Sequence, residues 1–151
     1  MNISRRTWLR TSLATAGAAA LISAGRTHAA LEDVEKMITE ISGDATVEDG
    51  GPLKLTTPEI AENGNSVPVS FMVESPMTDD DYVESVSIMA GDNPRPEVAT
   101  FHFTPASGIA KASTRMRLAK TQDVYAVAKT SSGKVFKVSN NVKVTIGGCG
   151  G

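Results

Sequence analysis

The run "GGCGG", residues Gly147–Gly151, holds Cys149, the only cysteine of a 151-residue chain. Glycine has no side chain and populates both signs of φ. Gly147, Gly148, Gly150 and Gly151 therefore predict a thin, pliable arm around an unshielded thiol. From Ile146 the five residues reach at most roughly 17 Å when extended, far enough to enter a cleft on another protein. A β-carbon at any of the four glycines is expected to hinder insertion or restrict the arm, and Gly148→Val to do so while leaving the fold intact. The combination suits a thiol that carries a group between the sites it visits. It does not suit catalysis by Cys149 alone. A reactive thiolate is usually stabilised by a cationic neighbour or a helix N-terminus, and the nearest charge expected here is the terminal carboxylate, which opposes ionisation. Activation is expected from whichever partner receives the arm, and no residue is given a catalytic role.

Other polar groups carry less. His102 is the only histidine besides His28, and it falls in a strand on the face opposite Phe101 and Phe103. It reads as a surface or interface residue, although a Cys149–His102 couple is chemically conceivable. One cysteine and one histidine do not build a usual zinc or blue-copper site. Asp79, Asp80 and Asp81 lack the spacing and the glycine of a calcium loop and read as solvated. Arg115 and Arg117 share one strand face and could meet an anion, an acidic partner or water. Arg95, between two prolines in "NPRPE", reads as a stiff turn. No phosphate-binding glycine loop or Ser/His/Asp order stands out. No metal and no cofactor is expected.

The chain opens with "SRRTWLRTSLATAGAAALISAGRTHAA", which combines basic residues, a weakly apolar alanine-rich run and small residues before Ala30. That is an export-signal layout, with cleavage expected after Ala29. The adjacent Arg5 and Arg6, followed by Trp8, Leu9 and Arg10, read as a twin-arginine signal, which exports folded proteins to the periplasm. The alternative is an ordinary secretory signal with adjacent arginines. The apolar run is short for a membrane span. Loss of residues 1–29 removes four of the 15 basic residues and no acidic ones, which leaves 11 against 17 and a net charge of −6. Such a chain is a poor match for nucleic acid or an anionic membrane. An unpaired cysteine in an oxidising compartment is either a hazard or a tool.

The elements that must position the arm follow from periodicity. Leu31, Val34, Met37, Ile38 and Ile41 recur at helical spacing, with Gly43 as a stop. The pattern then turns to alternation. A short edge strand falls near Leu53–Thr56. Val67, Val69, Phe71 and Val73 share a face, with Pro68 where no ladder bond is needed. Val86 and Ile88 point inward, as do Ala99, Phe101 and Phe103, and then Ala110, Ala112, Thr114, Met116 and Leu118. "QDVYAVAKT" and "KVFKVS" form a hairpin about Ser132-Gly133, and "NVKVTI" closes the series with Val142, Val144 and Ile146 inward. About seven strands after one helix predict an all-β, immunoglobulin-like antiparallel sandwich. The expected organisation is a signal (1–29), a carrier domain with its helix (30–146) and the arm (147–151).

"IAENGNSVPVSF", "TRMRLAKTQDVYAVAK" and the terminal "VKVTIGGCGG" resemble the SoxY family of the bacterial Sox thiosulfate-oxidation system. The likeness covers the chain after the signal. It implies a sulfur carrier rather than an enzyme, with Cys149 as the attachment residue. It implies a heterodimer with a SoxZ-like subunit, itself without a signal, which a folded-export route would carry along. It also implies enzymes that act on the arm. A haem protein, SoxXA, joins thiosulfate to the cysteine as an S-thiosulfonate; SoxB, a manganese hydrolase, removes sulfate; SoxCD, where present, oxidises the remaining sulfur. The alternatives from the residues themselves are an adaptor whose cysteine forms a mixed disulfide with one partner, and a thiol oxidoreductase, which would want a second cysteine.

Overall fold

The computed structural model describes residues 19–148. The helix α1 (Ala19–Ser42) starts earlier than the apolar pattern and runs through the expected cleavage point after Ala29. Its packing begins later. Val34 is buried with Met89, Val127 and Val135, and Met37, Ile38 and Ile41 pack against the same cluster. A cut after Ala29 therefore keeps all of these contacts. Leu31, expected on the apolar face, is exposed. The helix stops at Gly43, which takes a φ of +57° and donates its N–H to the Thr39 carbonyl at 2.8 Å, the usual use of a C-terminal glycine. Among the described residues no helix is long and apolar enough to cross a membrane.

Nine strands follow among the described residues: β1 (Val47–Asp49), β2 (Leu53–Thr56), β3 (Ile60–Asn63), β4 (Val67–Val73), β5 (Val83–Ala90), β6 (Glu97–His102), β7 (Ala110–Met116), β8 (Gln122–Thr130) and β9 (Val135–Ile146). They build a mainly β fold of two sheets. One has the order β1-β9-β8-β5-β6 with β3 also paired to β9; the other is β2-β4-β7. The expectation of a wholly antiparallel sandwich needs correction, because β1 and β3 both run parallel to β9. The cause is the length of β9. The segments "KVFKVS" and "NVKVTI", read as two strands, form one strand of 12 residues. The polar "SNN" between them does not break it, because its amides find partners. Asn140 donates to the Leu55 carbonyl (3.1 Å) and to Thr57 Oγ1 (3.3 Å), and Asn141 donates to Asp123 Oδ1 (2.7 Å). Pairing with β8 ends at Val142, so the end of β9 extends past its antiparallel neighbour.

The core lies between the sheets. Val67, Val69, Phe71 and Val73 point into it from β4, and Phe71 meets Phe101 and Phe103 edge-on with ring centroids 5.2 and 6.1 Å apart. Pro68 lies opposite Arg115 of β7, while the pairing of β4 with β2 stops at Ser70, so β2 offers no ladder partner on its other edge. On β5 the alternation is hidden. Val86 and Ile88 face the core as expected, but Met89 is equally buried, because α1 covers the outer face there. The 3-10 turn Pro105–Ser107 links β6 to β7.

Candidate functional site

Gly147 and Gly148 lead directly to Cys149. Cys149, Gly150 and Gly151 themselves lie outside the described residues. Gly147 and Gly148, expected as the start of a pliable arm, lie at a crossing of three backbones. The Gly64 N–H donates to the Ile146 carbonyl at 2.7 Å, the Leu118 N–H donates to the Gly64 carbonyl at 2.8 Å, and the Gly148 N–H donates to the Leu118 carbonyl at 2.9 Å. Gly64 and Gly148 are both buried. Only glycine fits this closely. A β-carbon on Gly147 would overlap the Ala119 carbonyl oxygen, and one on Gly148 would stand 2.7 Å from the Gly64 oxygen. The expectation that Gly148→Val would spare the fold is therefore corrected.

The three segments reach this point for local reasons. β3 lies parallel beside the end of β9, with Asn63 opposite Ile146, so the chain arrives at Gly64 alongside the exit. Asn63 Oδ1 accepts the Asn65 N–H at 2.9 Å and turns the loop into β4. On the other side of β9, Thr121 Oγ1 accepts the Val144 N–H at 2.9 Å, while the Lys143 N–H donates to the Glu59 carbonyl at 2.9 Å. The last residues of β9 are thus held from both edges. Ile146, expected inward, overruns the sandwich and is 66% exposed.

A buried polar pair supports the third segment. Asn93 Oδ1 accepts the Ala119 N–H (3.0 Å) and Gln122 Nε2 (2.9 Å), and its Nδ2 donates to the Arg117 carbonyl (2.7 Å). Gln122 also donates to the Lys120 carbonyl (3.1 Å) and accepts the Asp92 N–H (2.8 Å). Both side chains are buried. Reading "GDNPRP" as a stiff turn missed this role, since an asparagine next to proline is an ordinary turn residue. Asn93→Ala should cost about 1–3 kcal/mol in urea unfolding, because it leaves buried partners unsatisfied. A cost under about 0.5 kcal/mol would show that water replaces the amide.

The remaining polar residues do not converge on this point. His102 is exposed on β6 opposite Ser85, in a groove also lined by Met37 and Ile41 of α1 and by Lys129. Asp79, Asp80 and Asp81 are exposed in the loop before β5. Among the described residues no three of His, Cys, Asp and Glu are grouped to hold a metal ion. Arg115 is fastened to Ser66, donating to its carbonyl and hydroxyl oxygens at 3.3 Å each; Arg117 is exposed. Lys120 pairs with Asp92 at 3.5 Å. Burial, helped by Asp123, Asp92 and Glu35, pushes the Tyr125 phenol upward, away from the exit. The described part of the site is thus a hydrogen-bonded backbone crossing, with no constellation of catalytic groups among the described residues around it.

The family model described as sulfur oxidation protein SoxY matches residues 38–149. Among solved structures, the chain is similar to the sulfur carrier protein SoxY from Chlorobium limicola f thiosulfatophilum. The identity is 32% and the TM-score 0.63, over 75% of this chain and 96% of that one. It is also similar to a superoxide reductase (neelaredoxin) from Ignicoccus hospitalis, at 16% identity and a TM-score of 0.55 over 61% and 79% of the two chains. A putative superoxide reductase from Thermotoga maritima gives 16% and 0.56 over 69% and 96%. At such identity the two reductases share the fold alone. No curated protein sequence matches the chain.

Proposed function

The chain belongs to the SoxY family of sulfur oxidation proteins, and from that premise we propose that it carries thiosulfate-derived sulfur on Cys149 in the periplasm. It is a carrier acted upon by other proteins. The observation that carries this reading is the built exit. The motifs "AENG" and "TRMRLA" supply Gly64 and Leu118, two of the backbones that grip the third at Gly148. These bonds hold the residue that immediately precedes the chain's only cysteine.

The chemistry needs nothing from this chain but the sulfur atom. Joining thiosulfate to the Cys149 thiol forms one S–S bond, releases a proton and gives up two electrons. A SoxXA-like haem partner takes those electrons. Hydrolysis by a SoxB-like partner then breaks the bond from the outer sulfane sulfur to the sulfonate sulfur, releases sulfate and leaves a persulfide on the cysteine. A SoxCD-like partner can oxidise that sulfur further. Holding the intermediate covalently keeps it from diffusing away between steps. Residues 1–29 act as the twin-arginine signal, a SoxZ-like subunit completes the heterodimer, and the two sheets are of immunoglobulin-like type.

Intact mass spectrometry of the protein from thiosulfate-grown cells tests this. The expected result is a chain beginning at Ala30, with reductant-sensitive sulfur or thiosulfonate adducts confined to the C-terminal peptide. A thiol that stays unmodified when thiosulfate and the oxidising partner are supplied would sink the carrier reading, and a fixed mixed disulfide to one protein would replace it with the adaptor.

A further inference from the structure

The smaller sheet ends on a strand with one open side. β7 pairs with β4 in unbroken register, from Ala110–Val73 to Met116–Val67, and has no neighbour on its other edge among the described residues. The direction of its free backbone groups follows from β4. The Glu74 N–H donates to the Pro52 carbonyl at 2.9 Å, so by alternation the even residues of β4 bond toward β2 and the odd ones toward β7. On β7, Ala110, Ala112, Thr114 and Met116 therefore bond back to β4. Lys111, Ser113 and Arg115 turn their N–H and C=O groups to the open edge, and all three residues are exposed.

We propose that this edge docks an extended strand of a different protein, one with two carboxylates four residues apart on one face. The backbone asks for a strand, because free ladder groups at this spacing are satisfied by another strand. The side chains ask for acid. An antiparallel strand would set one residue opposite Lys111 and another, four positions away on the same face, opposite Arg115. Neither cation has a carboxylate partner among the described residues, and Arg115 is fixed by its bonds to Ser66. A second copy of β7 does not fit. Centred on Ser113, it would set Lys111 against Arg115 twice, and like charges directly opposite are destabilising. Other open strands of this chain lack the pattern. β6 has Glu97 alone, and Glu48 and Asp49 of β1 are adjacent and so face opposite ways. Cations on an open edge can also serve to keep it from pairing. Yet β6 is interrupted by a register shift against β5, and Lys54 of β2 is neutralised by Glu74. β7 is left regular, with unneutralised charge of one sign. The proposal does not depend on the carrier reading and adds a surface to it.

The test is binding of two backbone-cyclised hairpin peptides to the reduced full chain, followed by amide NMR. Their free strands read Glu-Val-Thr-Val-Glu and Lys-Val-Thr-Val-Lys. The glutamate hairpin should bind about 10-fold tighter at low salt, and its lead should shrink in about 0.5 M salt. It should slow solvent exchange at the amides of Lys111, Ser113 and Arg115. Those of Ala112 and Thr114, already bonded to β4, should not change. Lys111→Glu should erase the lead of the glutamate hairpin, with urea unfolding of the variant as the check on its fold. Equal affinity of the two hairpins for wild type, or protection centred on other residues, would overturn the docking site. No binding of either hairpin at millimolar concentration would also overturn it, and would leave the two cations as a guard against pairing.

Discussion

Replacing Cys149 with serine should abolish sulfur loading outright and leave stability within about 0.5 kcal/mol of wild type. The loss is total because the adduct is a sulfur–sulfur bond and the chain has no second cysteine to take it. A serine hydroxyl stays protonated at neutral pH and makes no comparable bond to sulfane sulfur. The fold is spared because, among the described residues, the last hydrogen bond of the clamp is made by Gly148, one residue earlier. Two measurements check this: incorporation of labelled thiosulfate in the presence of the oxidising partner, and urea unfolding of the same preparation. Label on the serine variant would place the attachment site on a different kind of atom. A large loss of stability would mean that the residue is part of the body rather than its cargo point.

The strands with a plain alternation were legible in the sequence. Val67, Val69, Phe71 and Val73 face one way because one side of β4 meets the core and the other does not. β1 and β3 were not legible. They are three and four residues long and are strands only because β9, far along the chain, offers an edge. A window read along the sequence does not contain its own partner. The exposure of Ile146 escaped for a related reason, since periodicity gives the direction of a side chain but not where the opposite sheet ends. The glycines are the instructive case. Glycine serves either to allow a positive φ or to let two backbones touch, and a sequence does not distinguish the two. Gly43 is of the first kind. Gly64, Gly147 and Gly148 do not take a positive φ, and each is closely approached by another backbone. "AENG" and "TRMRLA" were visible as a likeness, whereas their physical reason appeared only where they meet.

That reason sets the size of the second large effect. Gly64→Val should destabilise the protein by about 3–5 kcal/mol. The added β-carbon would overlap the Leu118 carbonyl oxygen and stand 2.6 Å from the Gly148 nitrogen and 3.0 Å from Val144 Cγ1. Two of these neighbours are backbone atoms, which do not swing aside as the end of a long side chain would. Overpacking of this kind typically costs about 1–3 kcal/mol. Separating the three backbones also gives up the bonds from Gly64, Leu118 and Gly148, each worth about 0.5–1.5 kcal/mol net. Gly148→Val should follow the same course on a smaller scale, since the nearest approach of its β-carbon, 2.7 Å from the Gly64 oxygen, is less severe than the overlap at Gly64. Urea titration reads both: the midpoint should fall while the m-value holds, as for a folded state that is weakened but not expanded. A Gly64→Val protein within about 1 kcal/mol of wild type would mean that the crossing opens at little cost.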